Sequence, residues 1–187
     1  LRRPRERALI RLGTTPPRSR FPSMTATIHI IATILVALAA ALSVAHALEY
    51  PGKMRLGREQ YFAVQQIYYP GFTIGGAAEP LGTIVIVALL FLLPFGGTQF
   101  WLAVVALIAM LGVMAVFWMV TQPANKLWTQ DLQMGSAGKN FFQTGAGDPA
   151  NAHWTAVRDR WERSHITRAF LASVGFVCLL IALAIRP

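Results

Sequence analysis

The sequence predicts an all-α membrane protein: a four-transmembrane-helix bundle with an interfacial helix before span two and a long amphipathic extension leading into span four. Three observations carry this. The chain of 187 residues is 55% hydrophobic and only 13% charged, with a mean hydropathy of +0.47, whereas soluble domains carry about 25% charged residues. Four stretches, residues 25–48, 71–93, 100–121 and 166–185, are each apolar over the roughly 20 residues that a helix needs to cross about 30 Å of hydrocarbon. A polar stripe, Trp154, Arg158, Trp161, His165 and Arg168, steps by 4, 3, 4 and 3 and runs into the last stretch without a break, so these side chains share one helix face.

Span one is Ala-rich, with His29 near one end and His46 near the other; His29 is expected to be structural. Residues 49–60 connect it to an aromatic segment, 61–69, that suits a helix lying at the membrane interface. Span two opens on small and polar residues (Gly71 to Gly82) that include Glu79 and Pro80. Pro94, Phe95, Gly96 and Gly97 form a tight turn, which makes spans two and three an antiparallel hairpin. Span three is rich in Met and Val and is expected to end at Gln122, Pro123, Ala124 and Asn125, because proline cannot continue a helix. A loop (135–147) follows. Asp148 and Pro149 then read as an N-cap and first helical position, so the last helix is expected over 149–186.

Seven of the 17 basic residues fall in the first 20 positions, a stretch without apolar periodicity. Residues 1–23 are therefore expected to be a disordered or over-extended N-terminal segment, with 24–187 the four-helix transmembrane domain. A basic tail of this kind does not supply the folded basic face that nucleic-acid binding requires. The partners expected are the lipid bilayer, a small lipophilic substrate and a further copy of the chain. With a single cysteine, Cys178, no internal disulfide forms. Four spans put Lys53, Arg55, Arg58, Lys126, Lys139, Arg158, Arg160, Arg163 and Arg168 on one side and Arg186 on the other if translation starts at Met24. That excess places the polar loops in the cytoplasm, at an inner or plasma membrane.

The same topology gathers His46, Glu49, Glu79, Gln122, Asn125 and the span-four stripe at one mouth of the bundle. Ionic groups in a membrane helix cost at least about 2.5–3.5 kcal/mol, so they should face inward and pair. Glu79 is expected to contact Arg158 or Arg168. Glu162 and His165 form a Glu-x-x-His pair, and His46 with Glu49 has the same spacing in reverse, so a metal site of His46, Glu49, Glu162 and His165 is a minor alternative. No cofactor is otherwise expected, with bound metal or haem the exception to consider.

Residues 46–53 (HALEYPGK), Tyr69, the Gly-rich entry with Glu79 and Pro80, residues 122–125 (QPAN), and the series Trp154, Arg158, Trp161, His165, Arg168 together resemble the anthrone-oxygenase-like family of small four-helix membrane proteins, over about residues 25–186. The resemblance implies a four-helix membrane fold and oxidation of an anthrone-type polyketide to a quinone by molecular oxygen without a recognised cofactor. On that implication His165 would be the base, Glu162 or Glu79 would orient it, and Arg158 or Arg168 would stabilise the developing oxyanion. Trp154, Trp161 and the 61–69 segment would form an aromatic wall for a lipophilic ring, and the substrate-binding residues would be Trp154, Trp161, His46, Tyr69 and Asn125. Two other classes compete: a non-catalytic assembly or structural protein whose polar cluster only holds the bundle together, and a small proton-coupled carrier using Glu79 and His46. An enzyme requires a cavity of several hundred Å³ reaching Trp161 and His165, and a structural network would be packed shut.

Overall fold

The computed structural model describes residues 23–128 and 154–185. Its elements are α1 (Met24–Lys53), α2 (Arg58–Gln65), a 3₁₀ turn (Gln66–Tyr68), α3 (Gly71–Gly75), α4 (Ala78–Leu92), α5 (Thr98–Val116), a π segment (Phe117–Thr121), α6 (Gln122–Trp128) and α7 (Trp154–Ala184). Four helices, Met24–Lys53, Gly71–Leu92, Thr98–Asn125 and Trp154–Ala184, are long and apolar enough to cross a membrane. The chain is an all-α four-helix bundle. The expectations for residues 1–22, the loop 135–147, the helix start at Asp148 and Pro149, and Arg186 lie outside the described residues.

The helices pack in a ring, α1 against α4, α4 against α5, α5 against α7 and α7 against α1. The centre is built mostly from small side chains: Ala32, Val36, Ala39 and Ala40 of α1, Ala103, Ala106 and Ala109 of α5, and Ala172 and Gly175 of α7. Ile86, Leu89, Met110 and Leu179 fill the space between them, and many other large side chains turn outward, Ile84 at 64% exposure and Phe91 at 86% among them. That inversion suits lipid, where tails are as apolar as leucine and helices associate by close backbone approach. At Gly175 an added Cβ would already stand 3.5 Å from the Ala106 carbonyl oxygen, 3.6 Å from Val36 and 3.7 Å from Ala109, so three helices meet on this residue. The α4–α5 turn depends on Gly96, whose φ of +79° is a left-handed conformation that suits glycine.

Buried His29 sits at the end of the bundle away from the stripe, with Nε2 3.0 Å from the Leu179 carbonyl oxygen. A carbonyl only accepts, so Nε2 carries the proton and the residue ties α1 to α7.

Two expectations about helix ends are corrected. α1 does not stop at Leu48 but continues to Lys53 through Pro51, which carries Glu49 and Lys53 onto the helix. The third helix, expected to end over residues 122–125, is not stopped by Pro123 and runs on to Trp128. The helix opens into a π turn, where the Gln122 N–H bonds the Phe117 carbonyl five residues back, and α6 then runs on through Pro123. The wider turn absorbs the missing proline N–H and the ring that would strain a regular helix.

Candidate functional site

Construction starts at the middle of α7. Residues 161, 165 and 168 step by 4 and 3 and point between α1, α3, α4 and the π segment; Trp161, His165 and Arg168 are all buried. Arg168 pairs with Glu79 on the first turn of α4, each side chain 7% exposed. The pairing expected for Glu79 is thus made with Arg168. The guanidinium also lies 5.1 Å from the Phe117 ring centroid, and its Nη1 is 3.4 Å from His165 Nδ1. Arginine only donates, so His165 Nδ1 accepts and its Nε2 bears the hydrogen.

Above this pair, aromatic rings close around His46. His46 and His165 lie 4.1 Å apart centroid to centroid. Tyr68 stands 4.5 Å, Phe72 4.6 Å and Trp161 5.3 Å from the His46 ring. Trp161 Nε1 donates to Asn125 Oδ1 at 2.7 Å, and Asn125 Nδ2 donates to Gln122 Oε1 at 3.1 Å. The π turn places Thr121 against Ser164 at 2.8 Å, which ties the third span to α7 beside the site.

A third layer lies toward the end of α1. Lys53 is buried, with Nζ 2.9 Å from Glu49 Oε2 and 3.7 Å from Glu162 Oε1. It sits 4.7 Å from the Tyr68 ring centroid and 4.9 Å from that of Trp161. Tyr68 donates its hydroxyl to Glu49 Oε2, and Tyr61 Oη donates to Glu162 Oε1 at 2.7 Å. Burial pushes both tyrosine hydroxyls well above their ordinary range, and the neighbouring carboxylates add to it, so both are donors at any working pH.

Between these layers is a cavity of about 460 Å³. His46, Gln65, Tyr68, Trp161, His165 and Arg168 form its inner end; Leu42, Phe72, Met114 and Phe117 are among the side chains of its apolar walls. Ala77, Pro80 and Trp118 also line it and are exposed on the outer surface of the bundle, where α4 begins beside the π segment. The cavity therefore opens sideways, between spans two and three. Four buried polar atoms of its lining residues have no hydrogen-bond partner among the described residues: His46 Nδ1, Gln65 Nε2, His165 Nε2 and Arg168 Nε.

Of the residues singled out from sequence, His46, Tyr69, Glu79, Asn125, Trp161, His165 and Arg168 line the cavity. Among the others, Trp154, Arg158 and Glu162 do not. Arg158 turns to Asp159, with Nη2 2.8 Å from Oδ1, and lies over Trp154, 5.0 Å from its ring centroid. Trp154 packs with Tyr61 at 6.1 Å. Both precede His165 by two turns or nearly three, about 10–16 Å along the helix, and the 4-3 stripe drifts about 20° per heptad around a straight helix. Glu162 follows Trp161 by one residue, about 100° around the axis, so it faces Tyr61 and Lys53 and does not orient His165. For the His46, Glu49, Glu162 and His165 set, no group of three or more His, Cys, Asp or Glu side chains able to hold a metal ion is found among the described residues. The different faces taken by Glu162 and His165 account for it.

Gln65 and Tyr68 are expected at the site only as part of the 61–69 segment, and Lys53 is not expected there at all. The only sequence signal for Lys53 is its spacing, seven residues after His46 and four after Glu49, which matters only if helix α1 passes through Pro51.

The family model for anthrone oxygenase matches residues 64–178, more than half of the chain. The chain belongs to the anthrone oxygenase family. In this anthrone oxygenase family protein the matched stretch carries Gln65, Tyr68, Glu79, Asn125, Trp161, His165 and Arg168, and begins after His46, Glu49, Lys53 and Tyr61. No curated protein and no solved structure matches the chain.

Proposed function

We propose that this member of the anthrone oxygenase family is an oxygen-dependent oxidoreductase that converts a small lipophilic aromatic carbon acid to its quinone. The observation that carries the reading is the sideways-opening cavity of about 460 Å³, apolar along its walls and lined at its inner end by two imidazoles and a guanidinium. A flat ring entering between spans two and three meets Phe72 and Phe117, with its oxygen-bearing edge toward His165 and Arg168.

The positions of the hydrogens support a division of roles. His165 presents Nε2–H and Arg168 its unpartnered Nε–H; both donate to the oxyanion that forms as the substrate loses a proton. His46 is then the base, which moves that role from His165. The carbanion adds dioxygen, the protonated imidazole returns its proton to the peroxide, and loss of water leaves the new carbonyl. Dioxygen takes four electrons in all, one oxygen atom entering the product and one leaving as water.

The cytoplasmic side of an inner or plasma membrane is the proposed location of the polar mouth. Lys53 and Arg168 are used inside the bundle, which leaves seven of the nine basic residues against one for the orientation argument. A non-catalytic reading is favoured by the Glu79–Arg168 and Tyr61–Glu162 links, which would hold helices together without any substrate.

The test is oxygen uptake and quinone absorbance with purified protein in nanodiscs and a hydroxyanthrone. His46→Ala and His165→Ala should each lower kcat/KM by about 100-fold or more. Unchanged turnover in both variants, or none in the wild type with a panel of anthrones, favours the structural reading.

A further inference from the structure

We infer that Glu49 is the positioning residue for His46, holding its imidazole in the tautomer that leaves Nε2 as the free base. The inference deepens the proposed function and rests on it for catalytic meaning; the tautomer stands on geometry alone.

Glu49 lies one turn beyond His46 on α1, and its Oε2 is 3.8 Å from His46 Nδ1. That is too long for a hydrogen bond, and Nδ1 has no hydrogen-bond partner among the described residues. Oε2 is itself held, since the Tyr68 hydroxyl donates to it and the Lys53 ammonium pairs with it at 2.9 Å. A carboxylate anchored in this way attracts the proton of the ring to the nitrogen that faces it. The remaining neighbours of the imidazole, Phe72, Trp161 and His165, meet it with ring faces and edges; Tyr68 does so while its hydroxyl is engaged on Glu49.

His165 has the opposite arrangement, because Arg168 places a donor at its Nδ1. The two imidazoles, 4.1 Å apart, are thus a matched pair: one with a bare Nε2, one with Nε2–H. A carbon acid whose oxygen must be stabilised as its proton leaves requires that combination. Lys53 makes the arrangement sensitive to Glu49. With the carboxylate neutralised, the ammonium beside it repels a proton on Nδ1, and the preference reverses.

Histidine ¹⁵N–¹H spectra of full-length protein in nanodiscs, assigned by single His→Gln variants, test this. The wild type should show His46 as the Nδ1–H tautomer and His165 as Nε2–H. Glu49→Gln should move His46 toward Nε2–H, Glu49→Asp should restore the wild-type form, and Lys53→Met should keep it. In turnover Glu49→Gln should lower kcat about 10-fold or more with KM changed far less, and Glu49→Asp should recover most of it. A wild-type His46 in the Nε2–H form, or one indifferent to Glu49→Gln, overturns the inference. Absence of wild-type turnover with the predicted tautomers present overturns the proposed function and leaves the Glu49 assignment intact.

Discussion

Arg168 and Glu79 meet where neither reaches water, and each is 7% exposed. Desolvation of two charges is costly, so the pair is worth little in isolation and much when only one member is removed. Glu79→Gln and Arg168→Gln should each destabilise by about 3–5 kcal/mol. The double variant should lose clearly less than the sum, measured by unfolding in mixed micelles; additive losses would show the two side chains to be independent. This partnership was legible in the sequence, because a carboxylate flanked by apolar residues inside a span has few places to go. Lys53 was not. Its burial depends on α1 continuing past Pro51, and a proline close to the end of an apolar run ordinarily marks a boundary.

At the scale of elements, α2 is the cover of the polar mouth. It is short and carries little apolar surface, so its docking depends on Tyr61, fully buried and bonded to Glu162 at 2.7 Å. Burial, and then the Glu162 carboxylate, raise the Tyr61 hydroxyl above its ordinary value of about 10. The sign follows: the contribution is complete below about pH 10 and is lost as pH climbs beyond it, because the unfolded chain ionises first. Unfolding temperatures of the wild type should therefore fall above that pH, and those of Tyr61→Phe should start lower and fall less steeply. Equal slopes would detach Tyr61 from the docking of α2. An interfacial helix was readable from the aromatic density of residues 61–69. The π turn was not, since residues 117–121 look like ordinary helix and Pro123 like a stop; only the tertiary fit of Thr121 against Ser164 distinguishes them.

For the molecule as a whole, hydropathy alone predicts four spans, and the ring order follows from the α4–α5 turn and the small-residue faces. The cavity is invisible at that level, because it arises where α4 starts late, after the break at Gly76 and Ala77, and the π turn widens the facing helix. The packed half of the bundle is correspondingly intolerant. Gly175 has room for a methyl group, at contacts of 3.5–3.7 Å, and for nothing larger. Gly175→Ala should be near neutral and Gly175→Leu should destabilise by about 1–3 kcal/mol or more, read by thermal unfolding in nanodiscs; equal stability would place the three-helix contact elsewhere.

The sideways mouth at Ala77, Pro80 and Trp118 gives the proposed function a kinetic consequence. A guest that arrives through it is dissolved in the bilayer, so its supply is set by how crowded it is among lipid molecules and hardly at all by its molarity in the surrounding buffer. Saturation of this protein is then a two-dimensional property, and a membrane diluted with more lipid starves it while the test tube holds the same amount of everything else.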